Sequence, residues 1–114
     1  MSAVTPPLEL ARKWLAAVDA RDANGAAALV SEDCRITNPG GGDDLIGPAG
    51  MRELIRNAPQ NIRRSLREER VEGTTVIVTS LTRIPGIFAS FATFTLETEG
   101  DRIKRVAFAL RPAN

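Results

Sequence analysis

Apolar residues recur mainly at helical spacing, around one short strand, as far as Ala58, and the period becomes strand-like from Asn61 onward, so predicted helices and strands are segregated along the chain. Leu8, Ala11, Leu15 and Val18 follow a three-and-four spacing. Leu10, Trp14 and Ala17 widen that stripe, while Arg12, Lys13, Asp19 and Arg21 fall mostly outside it. Pro6 and Pro7 suit the first turn of this helix. The run Asp22-Ala23-Asn24-Gly25 ends it, and Asp22 or Asn24 can cap a short second helix from Ala26 to about Val30. Cys34 to Asn38 alternates as a short strand closed by Pro39, and Gly40 to Asp44 reads as a loop. Pro48 opens a third helix with Met51, Leu54, Ile55 and Ala58 on its apolar face, and Pro59 stops it.

Four further strands are predicted over 64–72, 75–84, 88–97 and 103–110, with turns at Gly73, Pro85-Gly86 and Gly100. Helices first and an antiparallel meander after them indicate an α+β class and one domain spanning 1–114. Alternation puts Phe88 and Phe94 on one face of their strand and Phe91 on the other. Helices covering one face leave a Val-, Thr- and Phe-bearing outer face, for which a homodimer packed through the sheet is the expected cover.

Composition narrows the chemistry. The 114 residues are 43% hydrophobic and 25% charged, with a net charge of +1, which gives no pull toward nucleic acid or anionic membrane. Arg63, Arg64, Arg67 and Arg70 are interleaved with Glu68, Glu69 and Glu72 and lack aromatic platforms, so this segment reads as cross-strand salt bridges. No apolar run approaches a membrane span and the N-terminus lacks a signal core, so a cytoplasmic location is expected. The chain has no histidine and no tyrosine. That removes Ser–His and Cys–His nucleophile pairs, the commonest metal ligand and any phenolic donor. No metal and no cofactor are expected. Cys34 is the single cysteine and reads as structural or inert. The glycine loop runs into Asp43 and Asp44 rather than Lys and Ser or Thr, which argues against a phosphate cradle.

Trp14 to Asp22, Ser31 to Gly40 and Gly47 to Leu54, in this order before a strand meander, resemble the nuclear transport factor 2-like superfamily. Within it, the chain is similar to the ketosteroid isomerase-like and SnoaL-like branch. The resemblance implies a cone-shaped curved antiparallel (mixed) sheet wrapped on three N-terminal helices. It also implies a small apolar ligand in the cone, with an isomerase- or cyclase-type enzyme as one outcome and a non-catalytic dimeric interaction module as the alternative.

Matched residue by residue, the isomerase general base falls on Asn38, which cannot take a proton near neutral pH. The oxyanion tyrosine falls on Trp14 and the protonated aspartate near Ala92. An epoxide-hydrolase arrangement would use Asn38 and Arg83, but its remaining positions hold Ile36, Pro85 and Phe108. The expected cavity lining is Trp14, Ile36, Asn38, Met51, Leu54, Ile55, Phe88, Ala92 and Phe94, with Arg83 as an anion anchor if it turns inward. Asn38, Asp43 and Asp44 are the candidate catalytic residues, each with a plainer reading as a turn or solvated loop residue.

Overall fold

A computed structural model describes residues 6–38, 41–58, 63–84, 86 and 88–112, without the side chains of Phe88 and Pro112. The turn and helix-stop roles expected of Pro39, Gly40, Pro59 and Pro85 lie outside the described residues. The element order is α1 (Pro7–Asp19), α2 (Ala23–Ala27), β1 (Val30–Ile36), β2 (Leu45–Ile46), α3 (Gly47–Asn57), β3 (Arg63–Glu72), β4 (Thr75–Ile84), β5 (Phe88–Glu99) and β6 (Arg102–Pro112). The six strands form one sheet in the order β2-β1-β6-β5-β4-β3. All neighbours are antiparallel except β1 and β6, which run parallel, so the sheet is mixed.

Helix α1 begins at Pro7 with no side-chain cap, since a proline at the first helical position leaves one fewer orphan amide to satisfy. It ends in a Schellman turn: the Asp22 amide donates to the Ala17 carbonyl at 2.8 Å and the Arg21 amide to Val18 at 3.1 Å. That turn requires a left-handed residue, and Arg21 adopts φ 60° there without being glycine. Asp22 then caps α2 by accepting from the Gly25 amide at 2.9 Å.

The second helix thus starts three residues before the expected Ala26, and Val30, expected at its end, opens β1 instead. The cause is non-local. Val30 pairs with Ile103 on β6, and a register shift between Val30 and Arg35 breaks the alternation that would have marked the strand. The two-residue β2, pairing Leu45 with Ile36 and Ile46 with Arg35, was not expected; it is too short to carry a period. Further bulges between Leu66 and Glu68 and between Glu97 and Thr98 bend the sheet into the cone.

Leu10, Ala11, Trp14 and Val18 of α1 and Met51 and Ile55 of α3 are buried against Val76, Val78, Ala92, Phe94 and Leu96 of the sheet. Arg12 also fastens α1 to β3. Its Nε and Nη2 donate to the two carboxylate oxygens of Glu69 at 3.3 and 2.8 Å, a fork-on-fork pair. Cys34 is fully buried, and burial, with Asp33 adding to it, pushes its thiol up to about 11. A thiol so held is no nucleophile at neutral pH.

Two predictions follow from this architecture. Gly47 stands at φ +68°, and a Cβ there would meet the Glu32 carbonyl oxygen at 2.5 Å, whereas Gly73 at φ +63° faces open space. Gly73→Ala is expected to cost about 1–2 kcal/mol from backbone strain alone, and Gly47→Ala more than about 3 kcal/mol, read by urea unfolding. For the ion pair, hydrogen bonding from Arg12 holds the Glu69 carboxyl below its usual value of 4.5. Its contribution is therefore present above that value and is lost as pH falls through the lower folded-state pKa. Glu69→Gln should lower the melting temperature at pH 7 and change little at pH 2, compared by thermal scans at both pH values.

Candidate functional site

The helices do not fill the cone. Between α1, α3 and the concave side of β3–β6 lies a cavity of about 610 Å³. Its wall is mainly apolar: Trp14 and Val18 from α1, Leu54 and Ile55 from α3, Ile84 from β4, Ala92 and Phe94 from β5, and Phe108 and Leu110 from β6. The sheet side follows from register. Phe94 is the direct partner of Phe108, and Ala92 of Leu110, so these four side chains share one face. Trp14 meets Phe94 edge-on with ring centroids 5.6 Å apart, and Phe94 meets Phe108 at 5.8 Å. The buried Trp14 indole N–H is satisfied by the Met51 sulfur at 3.4 Å.

Polar groups are few. Asn38 lines the cavity and its Nδ2 donates to the Asp43 carbonyl at 3.4 Å. Arg64, Thr82 and Ser90 line it from β3, β4 and β5. Register places them in one row: Arg64 opposite Thr82, and Thr82 opposite Ser90. The Arg64 side chain is only 10% exposed, with its guanidinium carbon 5.1 Å from the Phe94 ring centroid. Desolvation lowers the Arg64 pKa, Asp19 acts in the opposite direction, and the neighbouring charge of Arg21 adds to the lowering. Asp19 comes within 3.3 Å of Arg64 Nη1 but is itself 54% exposed. The only carboxylate among the described lining residues is Glu53, which is exposed.

The expected site residues divide. Trp14, Asn38, Leu54, Ile55, Ala92 and Phe94 do line the cavity. Ile36 and Met51 are fully buried behind it in the helix–sheet core, because β1 lies at the far side of the sheet and Met51 turns to Trp14. Arg83 is exposed and outside the lining: its neighbours Thr82 and Ile84 face inward, so alternation turns it away. Asp43 and Asp44 are exposed and do not line the cavity, and Asp44 sits 4.0 Å from Arg35. The side chain of Phe88 lies outside the described residues. Arg64, Thr82 and Ser90 were not singled out as cavity residues from the sequence. The only available signal was the even-numbered phase of β4, which carries Val76 and Val78 inward and Thr82 with them.

Among the described residues no group of acidic, cysteine or histidine side chains has the arrangement of a metal site. No helix of the described chain is long and apolar enough to cross a membrane.

A mixed curved sheet closed by helices on its concave side, over a mostly apolar hollow, is the architecture of ketosteroid isomerase-like proteins. Residues 11–106 match the SnoaL-like domain, and the chain belongs to that family. No curated protein matches the sequence. Among solved structures, a protein from Sphaerobacter thermophilus is 25% identical over 90% of this chain and 94% of its own, with a TM-score of 0.80. A protein from Kribbella flavida, provisionally named a ketosteroid isomerase, is 21% identical over 95% of this chain and 79% of its own, with a TM-score of 0.82. TerC, co-crystallised with polyporic acid, is 18% identical over 93% of this chain and 92% of its own, with a TM-score of 0.79.

The hydroxyls of Thr82 and Ser90 are buried and, among the described residues, have no hydrogen-bond partner. A buried hydroxyl without a partner costs stability that an apolar isostere does not. Thr82→Val is therefore expected to raise the unfolding free energy by up to about 1 kcal/mol, measured by urea denaturation. A loss of that size would show that the hydroxyl is satisfied in the folded protein.

Proposed function

We propose that this SnoaL-like domain binds a small, largely apolar molecule inside the cone. The cavity carries the reading: about 610 Å³, walled by Trp14, Phe94, Phe108 and aliphatic side chains, with a handful of convergent polar groups. That is the size and composition of a small-molecule site rather than of a filled core. TerC, a protein of the same fold, was co-crystallised with polyporic acid, and another, from Sinorhizobium meliloti, bears the name of a polyketide cyclase. An isomerase- or cyclase-type step on a polyketide- or terpenoid-like ring is the matching chemistry for this domain. Its proton carrier would be Glu53 at the exposed rim, since Asn38 cannot serve as a base and Asp43 and Asp44 do not reach the cavity. The reading includes a homodimer through the outer sheet face. There Ile77 and Phe91 are half-buried, no helix among the described residues packs on that face, and Arg111 lies 5.2 Å from the Phe91 ring.

Trp14 is the only tryptophan and the chain lacks tyrosine, so intrinsic fluorescence reports on the cavity wall alone. Titration with 1-adamantanemethanol, a compact apolar cage transparent at the excitation wavelength, is expected to shift Trp14 emission saturably. Ala92→Leu, which fills the cavity from β5, is expected to weaken that response several-fold. An emission spectrum unmoved at millimolar ligand would sink the reading. Native mass spectrometry is expected to give the dimer mass.

A further inference from the structure

Resting on that reading, the polar groups inside the cavity narrow the ligand's chemistry. Arg64 Nε and Nη1 and the hydroxyls of Thr82 and Ser90 are all buried, and none has a hydrogen-bond partner among the described residues. Ser80 Oγ, also buried without a partner among the described residues, lies outside the cavity lining, whereas the other three side chains are grouped. Arg64, Thr82 and Ser90 are consecutive cross-strand partners on β3, β4 and β5, all lining the same cavity. With strands about 4.8 Å apart, the row spans about 10 Å of the apolar wall.

A guanidinium is costly to bury, and the usual compensation is a bidentate carboxylate partner. Arg64 lacks one. Asp19 approaches Nη1 at 3.3 Å without hydrogen-bond geometry and remains 54% exposed, so it offsets the charge from the solvent side. Phe94 holds the guanidinium against its ring. Arg21, also lining the cavity and set in a left-handed backbone conformation that favours glycine, adds a second positive charge near Arg64. The exposed Glu53 is the only opposing charge in the described lining.

We propose that the cavity takes an apolar, ring-bearing carboxylic acid, whose carboxylate is held by Arg64 and Thr82 while an oxygen substituent on its ring bonds to Ser90. A carboxylate supplies the planar acceptor pair a guanidinium recognises. Its own apolar body replaces water along Trp14, Phe94 and Phe108. Thr82 is one strand from Arg64 and within reach of the same head group, whereas Ser90 is two strands away and must bond to a more distant atom of the ligand.

The test compares adamantane-1-carboxylate, 1-adamantanemethanol and 3-hydroxyadamantane-1-carboxylate by Trp14 fluorescence and calorimetry at pH 7. These probes share one cage and differ in charge and in the second oxygen. The carboxylate is expected to bind at least ten-fold tighter than the alcohol, and the hydroxy acid tighter than the acid. Because the contact is buried, most of that preference should survive 0.5 M salt. Arg64→Met should erase the preference, so that the carboxylate binds no tighter than the alcohol, with the melting temperature unchanged or higher, since it removes a buried charge. Arg64→Gln provides the same readout if the methionine variant does not fold. Asp19→Asn should tighten the carboxylate further by removing the competing anion, and Ser90→Ala should cancel only the advantage of the hydroxy acid.

Equal affinity for acid and alcohol in the native protein would overturn this proposal and leave the apolar-ligand reading standing. Binding of neither probe would overturn both. A preference retained by both Arg64 variants would overturn the assignment to Arg64.

Discussion

Trp14 packed edge-on against Phe94 is the contact on which the hollow depends. It ties the middle of α1 to the centre of β5, and it does so with two large rings instead of a row of interlocking aliphatic side chains. Large rings hold the helix off the sheet. Ala92, one pleat away on the same face, is too small to fill the space that results. The indole N–H, which would be costly to bury alone, is satisfied by the sulfur of Met51 on α3. One tryptophan thereby positions both helices over the concave face, and removing it would unseat α1 and α3 together.

The sheet supplies the complementary half. Bulges in β3 and β5 and the irregular pairing of β1 with β6 bend it, so its inner face is a concave wall that two short helices cannot cover. Bending also determines which residues end up inside. Along β4 and β5 the even-numbered positions face inward, and toward the open end of the cone that phase passes from Val76, Val78, Phe94 and Leu96 to Thr82 and Ser90. The apolar core thus grades into a polar row without any change in strand geometry. What distinguishes the two ends of one strand is whether helices or hollow lie above it.

Electrostatics reinforce that division. Two arginines engage the α1–β3 seam in different ways. Arg12 is exposed and fully engaged with Glu69, a fork-to-fork pair that adds to docking. Arg64 is buried, stacked on the Phe94 ring, and among the described residues its one carboxylate neighbour is the half-exposed Asp19. A residue serving stability alone would resemble the first. An arginine kept in an apolar, aromatic setting with donors unmatched among the described residues is costly to bury, which supports the proposed ligand site.

Much of this protein is written in its residue pattern. Two periods along one chain determined the α+β class, the third helix and the extents of β3 and β4, because helix and strand periodicity is a local property of side-chain spacing. Composition excluded histidine, tyrosine and an intramolecular disulfide from the chemistry of these 114 residues. Resemblance in three stretches sufficed for the fold family, and Trp14, Asn38, Leu54, Ile55, Ala92 and Phe94 were recognisable as lining. Only the tertiary structure decided which arginine enters the cavity. Arg63, Arg64, Arg67 and Arg70 look alike in an alternating run of charges, and Arg83 looked at least as well placed. Pairing across strands selects Arg64, by setting it opposite Thr82, and turns Arg83 to solvent. The same applies to the start of β1, where a parallel partner more than seventy residues away in the chain overrides the local pattern. Register and cavity are made by contacts between distant segments, and a one-residue shift would exchange the two faces of a strand. No local pattern carries that information.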